Sequence, residues 1–147
     1  RWGAAMRMFS EKPLMGFGSG TYKFRYASYQ HSSQLTIIST NFGDLGNAHS
    51  EYFGPLAEMG VLGLLTFLIV IVISIYKFIV VYYRCQSREM QLVLMGVFLG
   101  WCTYLIHGVL NNYLDLDKAN VPFWGFLAVL VAIEVYHQDE SEEAAAY

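Results

Sequence analysis

Three apolar runs decide what this chain is able to fold into. The first extends from Val61 to Tyr83 and is interrupted only by Thr66, Ser74 and Lys77; the second covers Met90 to Ile106 and the third Val121 to Tyr136. A hydrocarbon core roughly 30 Å thick is crossed by about 20 helical residues, so each run is a candidate membrane span. Lys77 lies near the end of its run, where a long side chain extends its amine toward the headgroups, and Glu134 lies in the last turn of the third, within reach of water. A content of 55% hydrophobic and 14% charged residues, with mean hydropathy +0.36, excludes an ordinary soluble domain. The expected fold class is an all-α membrane protein, with three transmembrane helices at 60–83, 90–106 and 121–137 and an external, partly helical loop at 1–59. A turn at 84–89 and a loop at 107–120 join the spans, and an acidic tail follows at 138–147.

Basic residues near the span ends set orientation. The stretch from Leu45 to Gly60 has no Lys or Arg, whereas Lys77, Arg84 and Arg88 cluster at the opposite end of the first span. The 84–89 turn is therefore expected on the cytoplasmic side, with residues 1–59 and 107–120 outside. Arg1, Arg7, Lys12, Lys23 and Arg25 count against this, but they belong to a long loop far from the span, where the rule weakens. The net charge of −3 comes largely from Asp139, Glu140, Glu142 and Glu143, predicting a solvated, disordered tail and no nucleic-acid partner. Cys85 and Cys102 fall on different sides and lack metal or redox spacing, so no disulfide is expected. The chain begins at Arg1 with no signal-peptide pattern and reads as a piece of something larger, whose upstream helices would be partners of these three.

Within the external segment, Trp2, Ala5, Met6 and Phe9 recur at helical spacing until Pro13, predicting an amphipathic helix near the membrane surface. The connector from Pro13 to Gly20 is rich in glycine and reads as a turn; as a phosphate loop it lacks the Lys-Ser or Lys-Thr ending. Residues 21–46, with Tyr22, Phe24, Tyr26, Tyr29 and Phe42, show no clean period and read as irregular loop. Next come His49 and Ser50, nine residues, and Gly60-Val61-Leu62-Gly63. That spacing sets one imidazole at the mouth of the first span, able to take a proton near neutral pH. Asn47 is a candidate cap for a helix from Ala48, and Pro55 either kinks that helix or starts another. With a mild kink, His49, Phe53, Leu56, Gly60, Gly63 and Phe67 share a face, and the glycines admit a neighbouring helix; a full break voids that alignment.

The His-Ser, nine residues, Gly-x-x-Gly pattern resembles the signature of the O-antigen ligase-like membrane proteins. That group includes O-antigen ligases, lipid-linked polysaccharide polymerases and some protein O-oligosaccharyltransferases. Upstream, Arg1-Trp2, Pro13-Leu14, Gly16-Phe17-Gly18-Ser19-Gly20 and Tyr22 are similar to the family's run before the histidine. Downstream, the short turn, Asn111-Asn112-Tyr113 and Phe123-Trp124 resemble its carboxyl-terminal end. The resemblance implies a fragment of a C-type glycosyltransferase fold, a large periplasmic loop plus the last three spans, in a bacterial inner membrane. It implies transfer of a glycan from an undecaprenyl pyrophosphate carrier to lipid A-core or another saccharide acceptor, or to a protein hydroxyl, with no metal and no cofactor. His49 matches the proposed general base and Arg1 a loop arginine at the pyrophosphate, while other family arginines lie upstream of this chain.

The chemistry suits the residues. A sugar hydroxyl becomes a competent nucleophile as neutral imidazole removes its proton, and guanidinium groups of Arg1, with Arg7 or Arg25, suit a departing pyrophosphate. Arg1 is equally well read as a helix charge facing water or lipid phosphate. Glu58 is a candidate to position His49 or an acceptor, with helix capping the simpler account, and Gly60 and Gly63 support the histidine's helix. Asp115-Leu116-Asp117 lacks a third ligand and reads as a solvated turn with Lys118, while His31, His107 and His137 have no ligand spacing. A competing reading is a non-catalytic membrane module of a transporter or assembly complex, whose aromatic loop binds a partner or membrane lipid.

Overall fold

A computed structural model describes residues 1–35, 46–115 and 117–145. Phe42 and the side chains of Asp117 and of 137–145 lie outside what is described. The described residues are all helical with no strand: α1 (Trp2–Glu11), α2 (Tyr22–Arg25), α3 (Phe53–Arg84), α4 (Arg88–His107) and α5 (Asp117–Ala145). Short 3-10 turns follow α2 at Tyr26–Tyr29 and Ser32–Gln34. Residues 21–35 are therefore not the irregular loop predicted, because the tyrosines that blur the periodicity are core residues of a tight double turn. Among the described residues, three helices are long and apolar enough to cross a membrane: Phe53–Arg84, Arg88–His107 and Lys118–Tyr136. Helix α5 continues beyond its apolar part to Ala145, so the tail backbone is helical rather than disordered; glutamate and alanine are good helix formers.

The chain forms two compact units. The first comprises 1–69 and 107–113. Its core joins Ala5 and Met8 of α1, Tyr22, Tyr26, Ala48 and Ala57. The buried face of α1 is Ala4, Ala5 and Met8, a notch away from the expected stripe, and Met6 remains 42% exposed. The helix stops because Lys12 precedes a proline and leaves the helical region, at φ −133 and ψ 72. Tyr22 and Tyr26 stack with ring centroids 5.3 Å apart, and the Tyr22 hydroxyl donates to the Arg1 carbonyl at 3.0 Å. Burial pushes the Tyr22 phenol up to about 12.

The break in α3 is at Gly60, not Pro55. Pro55 fits in the opening turn because only its own amide bond is missing, while the amides of Gly54 and Leu56 reach the carbonyls of Ser50 and Tyr52 at 3.0 and 3.2 Å. Gly60 takes φ 66 and ψ −162, conformations reserved for glycine. The next amides become those of a new helix start: Val61 donates to the Pro13 carbonyl at 2.8 Å and Leu62 to that of Leu14 at 3.4 Å.

In the second unit, 70–106 with the chain from 114 onward, an aromatic column packs the spans. Phe78 lies 5.1 Å from Phe98 and 5.9 Å from Trp101, and Trp101 lies 5.7 Å from Phe123. Gln91 donates to the carbonyls of Tyr82 and Cys85, satisfying the end of α3. Lys77 and Glu134 form an ion pair with each other. Separate escapes to water were predicted for these two, but mutual neutralisation serves a low-dielectric setting better.

Candidate functional site

His49 stands between two buried residues. Ala48 is 3% and Ser50 1% exposed, whereas His49 is exposed, so its neighbours anchor the backbone and turn the imidazole outward. With φ 49, it is the sole non-glycine at positive φ among the described residues. A left-handed conformation in such a residue carries strain of about 1–3 kcal/mol, sustained here by local bonds. The Asn47 side-chain oxygen accepts the His49 amide at 3.1 Å. Asn47 thus makes a turn and does not cap a helix from Ala48. The cap is Ser50, whose hydroxyl oxygen accepts the amides of Tyr52 and Phe53 at 3.2 and 3.3 Å. The Glu51 amide donates to the Gly108 carbonyl at 2.8 Å, tying the opening of α3 to the later loop.

Because His49 precedes α3 and Gly60 interrupts it, the predicted common face from His49 to Phe67 does not form. Within this chain each glycine has its own local reason. A Cβ at Gly60 would stand 2.4 Å from the Leu14 carbonyl oxygen, so the glycine admits the connector's backbone. At Gly63 a Cβ would stand 2.3 Å from that of Met59, so this glycine clears the side chain from the preceding turn.

Glu58 completes a clasp on the same connector. Its backbone carbonyl accepts the Gly18 amide at 2.7 Å, while its carboxylate accepts the amides of Gly20 and Tyr22, both at 2.8 Å. It therefore caps α2, not the helix that carries it, and its carboxylate is engaged by those two amides. Gly16 packs equally tightly, since a Cβ there would lie 2.3 Å from the Glu58 carbonyl oxygen. The amides of Gly16, Gly18 and Gly20 all donate within the protein, which makes the glycine run a structural clasp.

The clasp brings α1 against the head of α3, where the Trp2 ring lies 4.9 Å from that of Phe53. Arg1, exposed at the same end, is close enough for its charge to act on His49. Partial desolvation is the larger cause and the Arg1 charge a further one, both holding the imidazole below the usual histidine range. Arg7 and Arg25 go elsewhere. The Arg7 Nε donates to the Tyr29 carbonyl at 2.5 Å, and Arg25 stacks 5.2 Å from the centre of Phe17. Phe17 and Tyr29 adjoin at 5.8 Å, so these cations share an aromatic cluster. Among the described residues, no three His, Cys, Asp or Glu side chains gather as a metal site. Sequence reasoning missed the roles of Asn47, Ser50 and Tyr22; the Asn-x-His-Ser run was the available signal, since asparagine and serine favour turns and caps.

Residues 1–68 match a family model described as O-antigen ligase. No curated protein and no solved structure matches the chain. The matched segment includes the clasp, His49 and the Gly60 break. The first 68 residues are thus similar to the O-antigen ligase family.

Proposed function

We propose that this chain is part of a bacterial inner-membrane glycosyltransferase that moves a glycan from an undecaprenyl pyrophosphate carrier to a saccharide acceptor, with ligation to lipid A-core its reaction. Its first 59 residues form the periplasmic loop, the turn at 84–89 is cytoplasmic, and helices upstream complete the cavity. His49 acts as general base. It takes the acceptor hydroxyl proton as that oxygen attacks the anomeric carbon, and the bond from that carbon to the carrier's phosphate oxygen breaks. The electron pair leaves with the pyrophosphate, whose growing negative charge Arg1 stabilises. Arg7 and Arg25, engaged with Tyr29 and Phe17, are given no part in the donor site.

The observation that carries this reading is an exposed imidazole in a strained, well-held turn with a guanidinium in electrostatic range. A lowered proton affinity keeps the ring neutral, and so free to accept a proton, at neutral pH. In the full-length protein, His49→Asn is the clean test, because asparagine tolerates the left-handed backbone while removing the base. Glycan transfer should fall about 100- to 10,000-fold with membrane insertion unchanged. Transfer at the parental rate would remove the enzyme reading in favour of a non-catalytic module. A capped lipid product identifies a ligase, a lengthened carrier-linked chain a polymerase, and a glycosylated protein an oligosaccharyltransferase.

A further inference from the structure

The connector that clasps Gly60 leaves two large apolar side chains pointing away from the protein. Leu14 is 67% and Met15 75% exposed, although their backbone neighbours are packed to contact against Glu58 and Gly60. Their height is set by the chain itself, because the Pro13 and Leu14 carbonyls accept the first amides of the apolar stretch, Val61 and Leu62. From Val61 to Arg84 a helix rises roughly 36 Å, enough for the hydrocarbon core and one interface, so a crossing needs no residue before Gly60.

We propose that Leu14 and Met15 form a wedge inserted at the boundary between headgroups and acyl chains, making this edge of the loop a lipid-docking surface. Its surroundings fit a phospholipid interface better than a protein neighbour. Lys12 and Arg25 lie 4.8 and 5.2 Å from the Phe17 ring centre, and Lys23 lies 5.1 Å from that of Phe24, which is itself 55% exposed. Among the described residues these three cations form no ion pair, leaving their charge available to lipid phosphates. Basic side chains interleaved with aromatic and aliphatic ones are the composition of an interfacial anchor. The surface lies apart from His49 in the sequence and needs no substrate, so its test is independent of glycan transfer.

The experiment uses the full-length protein with Cys85 and Cys102 replaced by serine, carrying Met15→Cys or Ser10→Cys coupled to a fluorophore. Both positions are exposed, so neither change disturbs packing. In nanodiscs of phosphatidylethanolamine and phosphatidylglycerol, brominated acyl chains should quench the label at 15 at least about twofold more than that at 10. Aqueous iodide should show the reverse order. Iodide quenching at 15 without bromine quenching would overturn the wedge, and a label reached by neither would mean that protein covers the site, which overturns it equally.

Discussion

Replacing Gly60 with alanine tests whether the break in α3 is built by the connector or merely tolerated. At φ 66 and ψ −162 a side chain is strained even in open space, at about 1–3 kcal/mol. The space is not open. The new Cβ would lie 2.4 Å from the Leu14 carbonyl oxygen and 2.7 Å from that of Pro13, and backbone cannot rotate away as a side chain can. Moving the connector sacrifices the bonds from Val61 and Leu62, each worth about 0.5–1.5 kcal/mol net. Together the loss is about 2–6 kcal/mol. Gly96→Ala is the control, since nothing lies within 4 Å of a Cβ there and helix propensity favours alanine by about 1 kcal/mol. Equilibrium unfolding in mixed micelles, followed by circular dichroism, should separate the two variants widely. A Gly60→Ala protein within about 0.5 kcal/mol of the parent would refute the clasp, a margin typical of changes that touch no special feature.

Glu58→Ala should destabilise the first unit by about 1.5–3 kcal/mol, the value of a charged hydrogen bond, and expose the amides of Gly20 and Tyr22 to faster hydrogen exchange. Glu58→Gln, keeping one acceptor oxygen, should fall between. Arg1→Gln removes a positive charge that opposes protonation of His49, so the acidic limb of the transfer rate should move to higher pH; an unmoved limb would show that Arg1 does not act on the imidazole. Because desolvation is the larger cause, the limb should stay below the ordinary histidine position. Lys77→Met leaves Glu134 unpaired and should cost about 1–3 kcal/mol, whereas Lys77→Met with Glu134→Leu should recover most of the loss; equal losses in both proteins would deny the pair.

The helical class and the three spans were legible because hydropathy is a local property and a bilayer imposes its length requirement on each segment separately. The end of α1 was legible for a similar reason, as Pro13 acts through its own ring and its immediate neighbour. The histidine signature pointed to the family that matches the first 68 residues. It did not reveal the shape around the histidine. A proline is visible in sequence, whereas a glycine's conformation is chosen by what packs on it, so Pro55 drew attention that belonged to Gly60.

The chain by itself determined which segments leave water, where α1 ends, and that one imidazole stands beside a span. Tertiary structure decided the rest through contacts between distant positions. Glu58 caps a helix 36 residues earlier, Lys77 neutralises a carboxylate 57 residues later, and the clasp draws Arg1 within electrostatic range of His49. None of these has a local signature, because each partner's residue type suits many neighbours and only the folded path selects one.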